Sequence, residues 1–147
     1  MTLQILLVED DPSHAYLVKK ALQGWRSPYN LHTVSSAEDA LDFINRRQRH
    51  SRAPTPHITL LDLHLPREPG FTVLKAIKEN PDFRNIAVIV MSSSLDESDM
   101  RKAVELHTNA YMRKPVSWED TEKLFAALES FWRLDARFAM VEPPPVA

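Results

Sequence analysis

The sequence predicts an α/β fold, a doubly wound five-stranded parallel sheet with five flanking helices in a three-layer sandwich. Two observations support this prediction. Short apolar runs alternate with segments of helical periodicity along the chain. The clearest apolar runs are nearly continuous, as expected of strands that are buried on both faces. Strands separated by helices pair in parallel through right-handed crossovers, which places helices on both sides of the sheet.

Five apolar runs are the predicted strands. In chain order they are Leu3–Val8, Tyr29–Val34, Ile58–Leu61, residues 87–91 and residues 110–112. The second run is the weakest candidate, and the fourth is the most strand-like. Most of these runs end in charged or hydroxyl residues, which mark the transition to a loop or a helix.

Five segments of helical character follow the strands. They cover Pro12 to about Gly24, residues 36–44, residues 71–80, residues 98–107, and Ser117 to about Arg133. Pro12 fits a first helical turn, and Gly24 can end the helix. Ser36 and Ser117 are each followed three positions later by an acid, as in a capping box. The third helix is expected to end before Pro81.

Length and composition fit one globular domain. The chain has 147 residues, of which 44% are hydrophobic and 26% are charged, with a formal net charge of −2. This near-neutral balance argues against direct nucleic-acid binding. The only glycines are Gly24 and Gly70, which excludes glycine-rich dinucleotide and P-loop motifs and a G-x-S-x-G elbow. The lack of cysteine excludes disulfides and thiolate metal sites.

The sequence features that direct a protein to a membrane or to export predict a cytoplasmic protein here. No apolar run approaches the roughly 18 residues that a membrane helix needs. The first four residues lack the basic segment of a signal peptide. We therefore expect a cytoplasmic protein without a membrane partner.

Charged and hydroxyl side chains collect at the carboxyl ends of the strands, where open parallel sheets bind ligands. They are Glu9, Asp10, Asp11, Asp62, Ser92 and Lys114. Clustered carboxylates repel one another unless a cation is present, and oxygen ligands suit Mg²⁺. A lysine and a serine hydroxyl can bind phosphoryl oxygens. One carboxylate supported in this way can act as a nucleophile and form an acyl phosphate.

Four motifs, in order, resemble the receiver domain of two-component response regulators. They are residues 6–11 (LLVEDD), 60–66 (LLDLHLP), 88–93 (VIVMSS) and 111–115 (YMRKP). The resemblance spans about residues 3–132 and implies the flavodoxin-like, or CheY-like, version of the predicted fold. It divides the chain into a receiver domain, residues 1–133, and a C-terminal extension, residues 134–147. We expect that extension to be partly disordered or involved in dimerisation.

The resemblance implies a role for each of the matching site residues. Asp62 would accept a phosphoryl group from a phosphohistidine of a sensor histidine kinase. Glu9, Asp10 and Asp62 would hold Mg²⁺ (or Mn²⁺), Asp10 directly and Glu9 through water. His64 would supply a backbone carbonyl to the same ion. Lys114 would pair with the phosphoryl oxygens.

Two further residues match the family's conformational switch. Ser92 would move toward the phosphoryl group, and Tyr111 would rotate in response. Because three serines are consecutive, the serine that moves toward the phosphoryl group could be Ser92 or its neighbour. Such a switch is a local change of charge that alters the surface around the fourth helix and the fifth strand.

The sequence departs from the family's commonest pattern at three points. Glu9 stands where Asp is frequent, which puts the water-mediated metal geometry in doubt. Pro69 precedes Gly70 where an acid is common. Arg113 places a second basic residue beside Lys114. None of these changes removes a required function.

A narrower resemblance is to the phytochrome-associated response regulators of cyanobacteria. It rests on the long connection at residues 46–57 and on residues 79–82 (ENPD), 105–111 (ELHTNAY) and 129–132 (ESFW). In that group the regulator is a lone receiver. The resemblance implies that the kinase partner is a phytochrome and that the protein forms a homodimer.

Apolar residues near and beyond the end of the receiver leave two alternatives open. They are Phe131, Trp132, Phe138 and Val141. They either fold back on the last helix or form a dimer surface. We favour the dimer, because large apolar groups outside a finished core usually need a partner.

The arginines that follow the second predicted helix allow two interpretations. Arg46, Arg47, Arg49 and Arg52 are either a solvated helix end, which we favour, or a docking surface for an acidic partner.

The six histidines show no metal-ligand spacing. Two of them, His14 and His64, lie next to the acidic motifs. We hypothesise that His64 modulates hydrolysis of the acyl phosphate by orienting or blocking water.

Three functional hypotheses follow, and we favour the first. It is a phospho-accepting signalling switch that assists only its own phosphorylation and dephosphorylation, and is not a metabolic enzyme. The second is a phosphorylation-independent dimerising adaptor, which has no chemical need for the acids, Ser92 and Lys114 together. The third is a hydrolase, which usually needs a second acid and a substrate-covering cap. The short loops leave little room for a cap.

Overall fold

The computed structural model describes residues 2–94 and 96–139, with side chains as far as Trp132 except that of Leu95. The described residues contain one five-stranded sheet. Its strands are Leu3–Val8 (β1), Tyr29–Val34 (β2), Ile58–Leu61 (β3), Ala87–Ser92 (β4) and Ala110–Arg113 (β5). All neighbouring strands are parallel, in the order β2-β1-β3-β4-β5. β1 and β3 are neighbours in the sheet, and the connections that follow them run in opposite directions along it. Parallel sheets of this kind bind ligands beside such a pair of strands.

Five helices cover the two faces of this sheet. They are Pro12–Leu22 (α1), Ala37–Asn45 (α2), Gly70–Glu79 (α3), Glu97–Glu105 (α4) and Trp118–Ala139 (α5). The predicted cap of α2 is confirmed, since the backbone N–H of Asp39 donates to the Ser36 hydroxyl at 3.1 Å. Pro12 occupies the first turn of α1, as expected. The predicted α/β architecture is therefore confirmed.

The boundaries of the last two helices differ from the prediction. Helix α4 ends at Glu105 because His107 takes a φ of 68°, in the left-handed region that turns the chain toward β5. Helix α5 does not end near Arg133 but continues to Ala139. The sequence from Leu134 to Ala139 contains neither glycine nor proline, so nothing in it opposes the helix.

The connection at residues 46–57 also contains a short 3₁₀ turn, Gln48–His50, which the sequence analysis missed. Several arginines of this segment have partners within the chain. Arg47 pairs with Asp42, and Arg49 pairs with Asp39. These contacts support the solvated helix end rather than a docking surface.

The core consists of two apolar clusters, one on each face of the sheet. Alternate residues of β1 serve both, since Leu6 points to one cluster and Leu7 to the other. The first cluster joins the sheet to α2, α3 and α4, and the second joins it to α1 and α5. This double burial explains the nearly continuous apolar strands.

Helix α5 is bound to the loop that follows α1. The indole N–H of Trp25 donates to the Phe125 carbonyl at 2.9 Å. One carboxylate oxygen of Glu129 accepts the backbone N–H groups of Arg26 and Ser27, both at 2.8 Å. These bonds fix the orientation of α5 on the sheet.

The apolar residues at the end of the receiver point in different directions. Trp132 packs against the second cluster, which is the fold-back arrangement. Phe131, in contrast, is 65% exposed. Phe138 and Val141 lie outside the residues whose side chains are described. Of the two described aromatics, Phe131 is therefore the one that faces outward.

No helix in the described ranges combines the length and the apolar character needed to cross a membrane.

Candidate functional site

Asp62 lies at the carboxyl edge of the sheet, directly after β3. Its backbone N–H donates to the Val8 carbonyl at 3.1 Å, which ties it to the end of β1. Its Oδ1 accepts the backbone N–H of His64 at 3.1 Å, and its Oδ2 accepts from Lys114 Nζ at 2.9 Å. The residue is only 6% exposed, so the carboxylate has a fixed orientation.

Glu9 follows β1 and lies beside Asp62 at the same edge of the sheet. Its Oε1 lies 2.6 Å from Lys114 Nζ and 2.6 Å from His14 Nδ1. Its Oε2 accepts the backbone N–H of Asp11 at 3.3 Å. The Glu9 side chain is 1% exposed. Lys114 therefore bridges the Glu9 carboxylate and the Asp62 carboxylate.

The structure brings the predicted metal-binding acids together. Carboxylate oxygens of Glu9, Asp10 and Asp62 lie within 4.8 Å of one another, and Asp10 is the exposed member. Three convergent carboxylates are a donor set that a hard divalent cation prefers. Asp11 has a different role, because its Oδ1 caps α1 by accepting the Ser13 N–H at 2.9 Å.

Burial and neighbouring charges move the three central pKa values in different directions. Burial alone would raise the pKa of Glu9, but contacts with His14, Lys114 and Asp62 outweigh it and lower the pKa to about 2. Burial raises the pKa of Asp62, and the Glu9 charge adds to this effect against Lys114 and the His64 N–H. Burial works to lower the pKa of Lys114, and its two carboxylate partners reverse this and raise it. Asp62 is thus the carboxylate that would gain most from a cation.

Ser92 is the buried serine among the three consecutive ones. It ends β4, and its carbonyl accepts the backbone N–H of Lys114 at 2.9 Å. Its hydroxyl oxygen accepts the Ser94 N–H at 3.1 Å. The phenol of Tyr111, on β5, lies 3.5 Å from the Ser94 carbonyl. The two predicted switch residues are therefore connected through Ser94.

His64 extends from the loop after β3 toward α4. Its ring Nε2 lies 3.5 Å from Asp99 Oδ2, and its side chain is 58% exposed. The same residue donates its backbone N–H to Asp62. His64 therefore contacts both the candidate phosphoacceptor and the first turn of α4.

A family model identifies this arrangement. Residues 5–129 match the model of the response regulator receiver domain. The chain belongs to this family. It is therefore a response regulator receiver of two-component signalling, as the four motifs predicted.

Comparison with individual proteins shows which response regulators this receiver resembles. It is 36% identical to the response regulator Rcp1 of Synechocystis sp. over 128 residues, which cover 87% of each chain. It resembles the crystal structure of the phosphorylated cyanobacterial phytochrome response regulator RcpA with a TM-score of 0.86 at 31% identity, over 90% of this chain and 94% of that one. The Mn²⁺-bound form of Rcp1 follows with a TM-score of 0.83 at 35% identity, over 88% and 94% of the two chains. Both predicted resemblances are confirmed.

Gly70 is a site residue of this receiver that the sequence analysis assigned only to a loop. Its backbone N–H donates to the Leu63 carbonyl at 2.8 Å. A Cβ at this position would lie 2.1 Å from the Asp62 carbonyl oxygen and 2.8 Å from Leu63 Cα. Only glycine allows α3 to begin this close to the residues that follow β3. The scarcity of glycine in the chain is a signal that could have drawn attention to this position, but it was used only to exclude glycine-rich motifs.

Gly70→Ala is expected to destabilise the receiver by about 1–3 kcal/mol, because the added methyl group collides with backbone that cannot rotate away. Urea unfolding measures the difference. Gly24→Ala is the matched control, since its Cβ would meet only the Ala21 carbonyl oxygen, at 3.4 Å. Equal stability of the two variants would contradict the proposed crowding at Asp62.

Proposed function

We propose that this receiver is a phosphorylation switch with Asp62 as the phosphoacceptor. A carboxylate oxygen of Asp62 attacks the phosphorus of a phosphohistidine on a sensor kinase. The P–N bond breaks, the histidine leaves, and an acyl phosphate forms. The observation that supports this role is the buried Asp62 carboxylate, oriented by Lys114 and the His64 N–H beside two further acids.

A divalent cation completes the proposed site. Glu9, Asp10 and Asp62 would hold Mg²⁺ or Mn²⁺, with the backbone carbonyl of His64 as a further oxygen ligand. When bound, the ion neutralises charge on the phosphoryl group being transferred. The convergence of the three carboxylates and the raised pKa of Asp62 support the assignment. The Mn²⁺-bound form of Rcp1 is a relative with such an ion.

The side chains around Asp62 account for the proposed conformational response. Lys114 Nζ, which bridges Glu9 and Asp62, is placed to pair with a phosphoryl oxygen. The Ser92 hydroxyl can donate its hydrogen to another phosphoryl oxygen. Ser92, Ser94 and Tyr111 are in contact, so a movement of Ser92 would reach β5 and α4. The switch would thereby alter the surface that a partner recognises.

The proposed partner is a sensor histidine kinase of the phytochrome class, in the cytoplasm. The similarity to RcpA and Rcp1 supports this choice. We further propose that the receiver acts without binding nucleic acid, in line with its net charge of −2. Its only chemistry would be to assist its own phosphorylation and dephosphorylation.

The burial of the ionic groups favours the switch over a phosphorylation-independent adaptor. Glu9 and Asp62 are buried, and the Lys114 side chain is mostly so. Buried ion pairs rarely add stability over apolar residues of the same size. An adaptor would gain nothing from these groups, whereas phosphoryl transfer requires all three.

Asp62→Asn is expected to abolish phosphorylation, because the amide lacks a nucleophilic carboxylate oxygen. Intact mass after incubation with Mg²⁺ and acetyl phosphate should show one phosphoryl adduct in the wild type and none in the variant. Chelation of Mg²⁺ should also remove the adduct. Asp82→Asn, at an exposed aspartate after α3, is the control and should be phosphorylated normally. An adduct on Asp62→Asn would refute the assignment.

We propose that the His64 ring shields the acyl phosphate from water. Its removal by His64→Ala is then expected to shorten the phosphate lifetime by about threefold or more, or roughly 0.6 kcal/mol of barrier. Decay of the intact-mass adduct measures it. Arg67→Ala, in the same loop but paired with Glu38, is the control. Unchanged decay would contradict any role of His64, and slower decay would indicate that His64 orients water instead.

We also propose that the receiver forms a homodimer through the outer face of α5 around Phe131. Phe131→Ala is expected to shift the population toward monomer, because the partner would lose a buried aromatic ring. Light scattering at tens of micromolar, with and without phosphodonor, measures the mass. Val116→Ala, at an exposed residue near Lys114, is the control. A monomeric wild type under both conditions would contradict the dimer.

A further inference from the structure

His14 lies in the first turn of α1 and is 8% exposed. Its Nδ1 is buried and lies 2.6 Å from Glu9 Oε1. Within the described residues, the Glu9 carboxylate is the only polar side-chain group recorded beside this nitrogen. The phosphorylation chemistry proposed above does not use His14. Its burial against a metal-binding acid therefore calls for a separate explanation.

The short contact with Glu9 determines where the His14 ring carries its hydrogen. Glu9 Oε1 already accepts from Lys114 Nζ at 2.6 Å, so this oxygen acts as an acceptor in the site. An imidazole nitrogen without a hydrogen is also an acceptor, and two acceptors at 2.6 Å repel each other. The hydrogen between the two atoms therefore belongs to Nδ1 of His14, although the ring orientation does not align this N–H with the Glu9 oxygen.

The other contacts of Glu9 show why a second donor matters. Its Oε1 is shared by Lys114 and His14, while its Oε2 accepts the Asp11 N–H, at 3.3 Å. Lys114 also binds Asp62 and is the group that would move to a phosphoryl oxygen. Once Lys114 moves, His14 is the side chain that remains on Oε1.

Glutamate needs such support more than aspartate does. It has one more rotatable bond, so its carboxylate can reach more positions, and fixing it costs more entropy. The start of α1 makes His14 a rigid support. Pro12 sets the backbone of the first turn, and Asp11 caps it.

We propose that His14 is a positioning residue for the metal-binding carboxylate of Glu9. Its Nδ1–H lies against Oε1 and limits the orientations that this carboxylate can take, whether Lys114 is bound to Glu9 or to a phosphoryl group. This role rests on the proposed divalent-cation site and adds to it a residue that does not itself touch the ion. Partners that orient a metal ligand in this way commonly change metal affinity by 10–100-fold when removed.

The test is a calorimetric titration of the full chain with Mg²⁺, without a phosphodonor. His14→Ala is expected to weaken Mg²⁺ binding by roughly tenfold. His14→Asn places an amide N–H near the position of Nδ1–H and is expected to bind Mg²⁺ nearly as well as the wild type. His14→Leu fills the volume without a donor and should behave like His14→Ala. Lys19→Ala, at an exposed residue of α1, is the control and should be unchanged.

A kinetic measurement separates positioning from a general structural role. In His14→Leu, the Mg²⁺ concentration that half-saturates phosphorylation should rise while the maximal rate is kept. Circular dichroism checks that each variant is folded. If His14→Ala does not fold, the Mg²⁺ affinities of His14→Leu and His14→Asn still show whether a hydrogen-bond donor is needed at this position.

Two results would overturn the inference about His14 alone. One is wild-type Mg²⁺ affinity in His14→Leu. The other is equal weakening in His14→Leu and His14→Asn, which would mean that ring packing matters and the donor does not. A wild-type chain that does not bind Mg²⁺ at all would instead refute the proposed cation site, and the role of His14 with it.

Discussion

The ammonium of Lys114 between two buried carboxylates is the interaction on which the site depends. Without a cation at this point, Glu9 and Asp62 would repel each other in a place that water hardly reaches. Lys114 pairs with both through contacts of 2.6 and 2.9 Å, and its charge offsets part of their repulsion. The arrangement holds Asp62 in place and keeps a positive charge beside it. In the proposed switch, the same lysine would serve both the resting site and the phosphorylated one.

The fold supports this interaction because four strand ends, those of β1, β3, β4 and β5, meet there. The Asp62 N–H is bound to the end of β1, and the Lys114 N–H is bound to the Ser92 carbonyl at the end of β4. Gly70 lets α3 begin directly against the Asp62 carbonyl. Each of these constraints involves the backbone, so side-chain substitutions elsewhere leave the geometry largely unchanged. His64 and Tyr111 are less buried than Glu9 and Asp62, and they contact α4 and its preceding loop.

The elements that the sequence predicts well are those whose signals are local. Apolar runs identified all five strands, with the polar-interrupted Tyr29–Val34 the weakest of them, and Ser36 and Pro12 marked two helix starts. The errors occur where tertiary contacts or the absence of a stop signal decide. Helix α4 ends early because His107 adopts a left-handed conformation, which favours glycine. Trp132 and Phe131 are adjacent and similar in character, yet one packs on the core and the other faces outward.

The sequence by itself determined the parallel α/β architecture, the family, and the identity of the acids, the serine and the lysine at the site. These follow from periodicity and from motifs, which are properties of neighbouring residues. Only the tertiary structure decided that Lys114 bridges Glu9 and Asp62, that Gly70 must lack a side chain, and that His14 faces Glu9. The first of these joins residues more than fifty positions apart. The other two reach across a loop, Gly70 to Asp62 and His14 to Glu9. Their distances arise from the packing of strands and helices, which local sequence patterns do not encode.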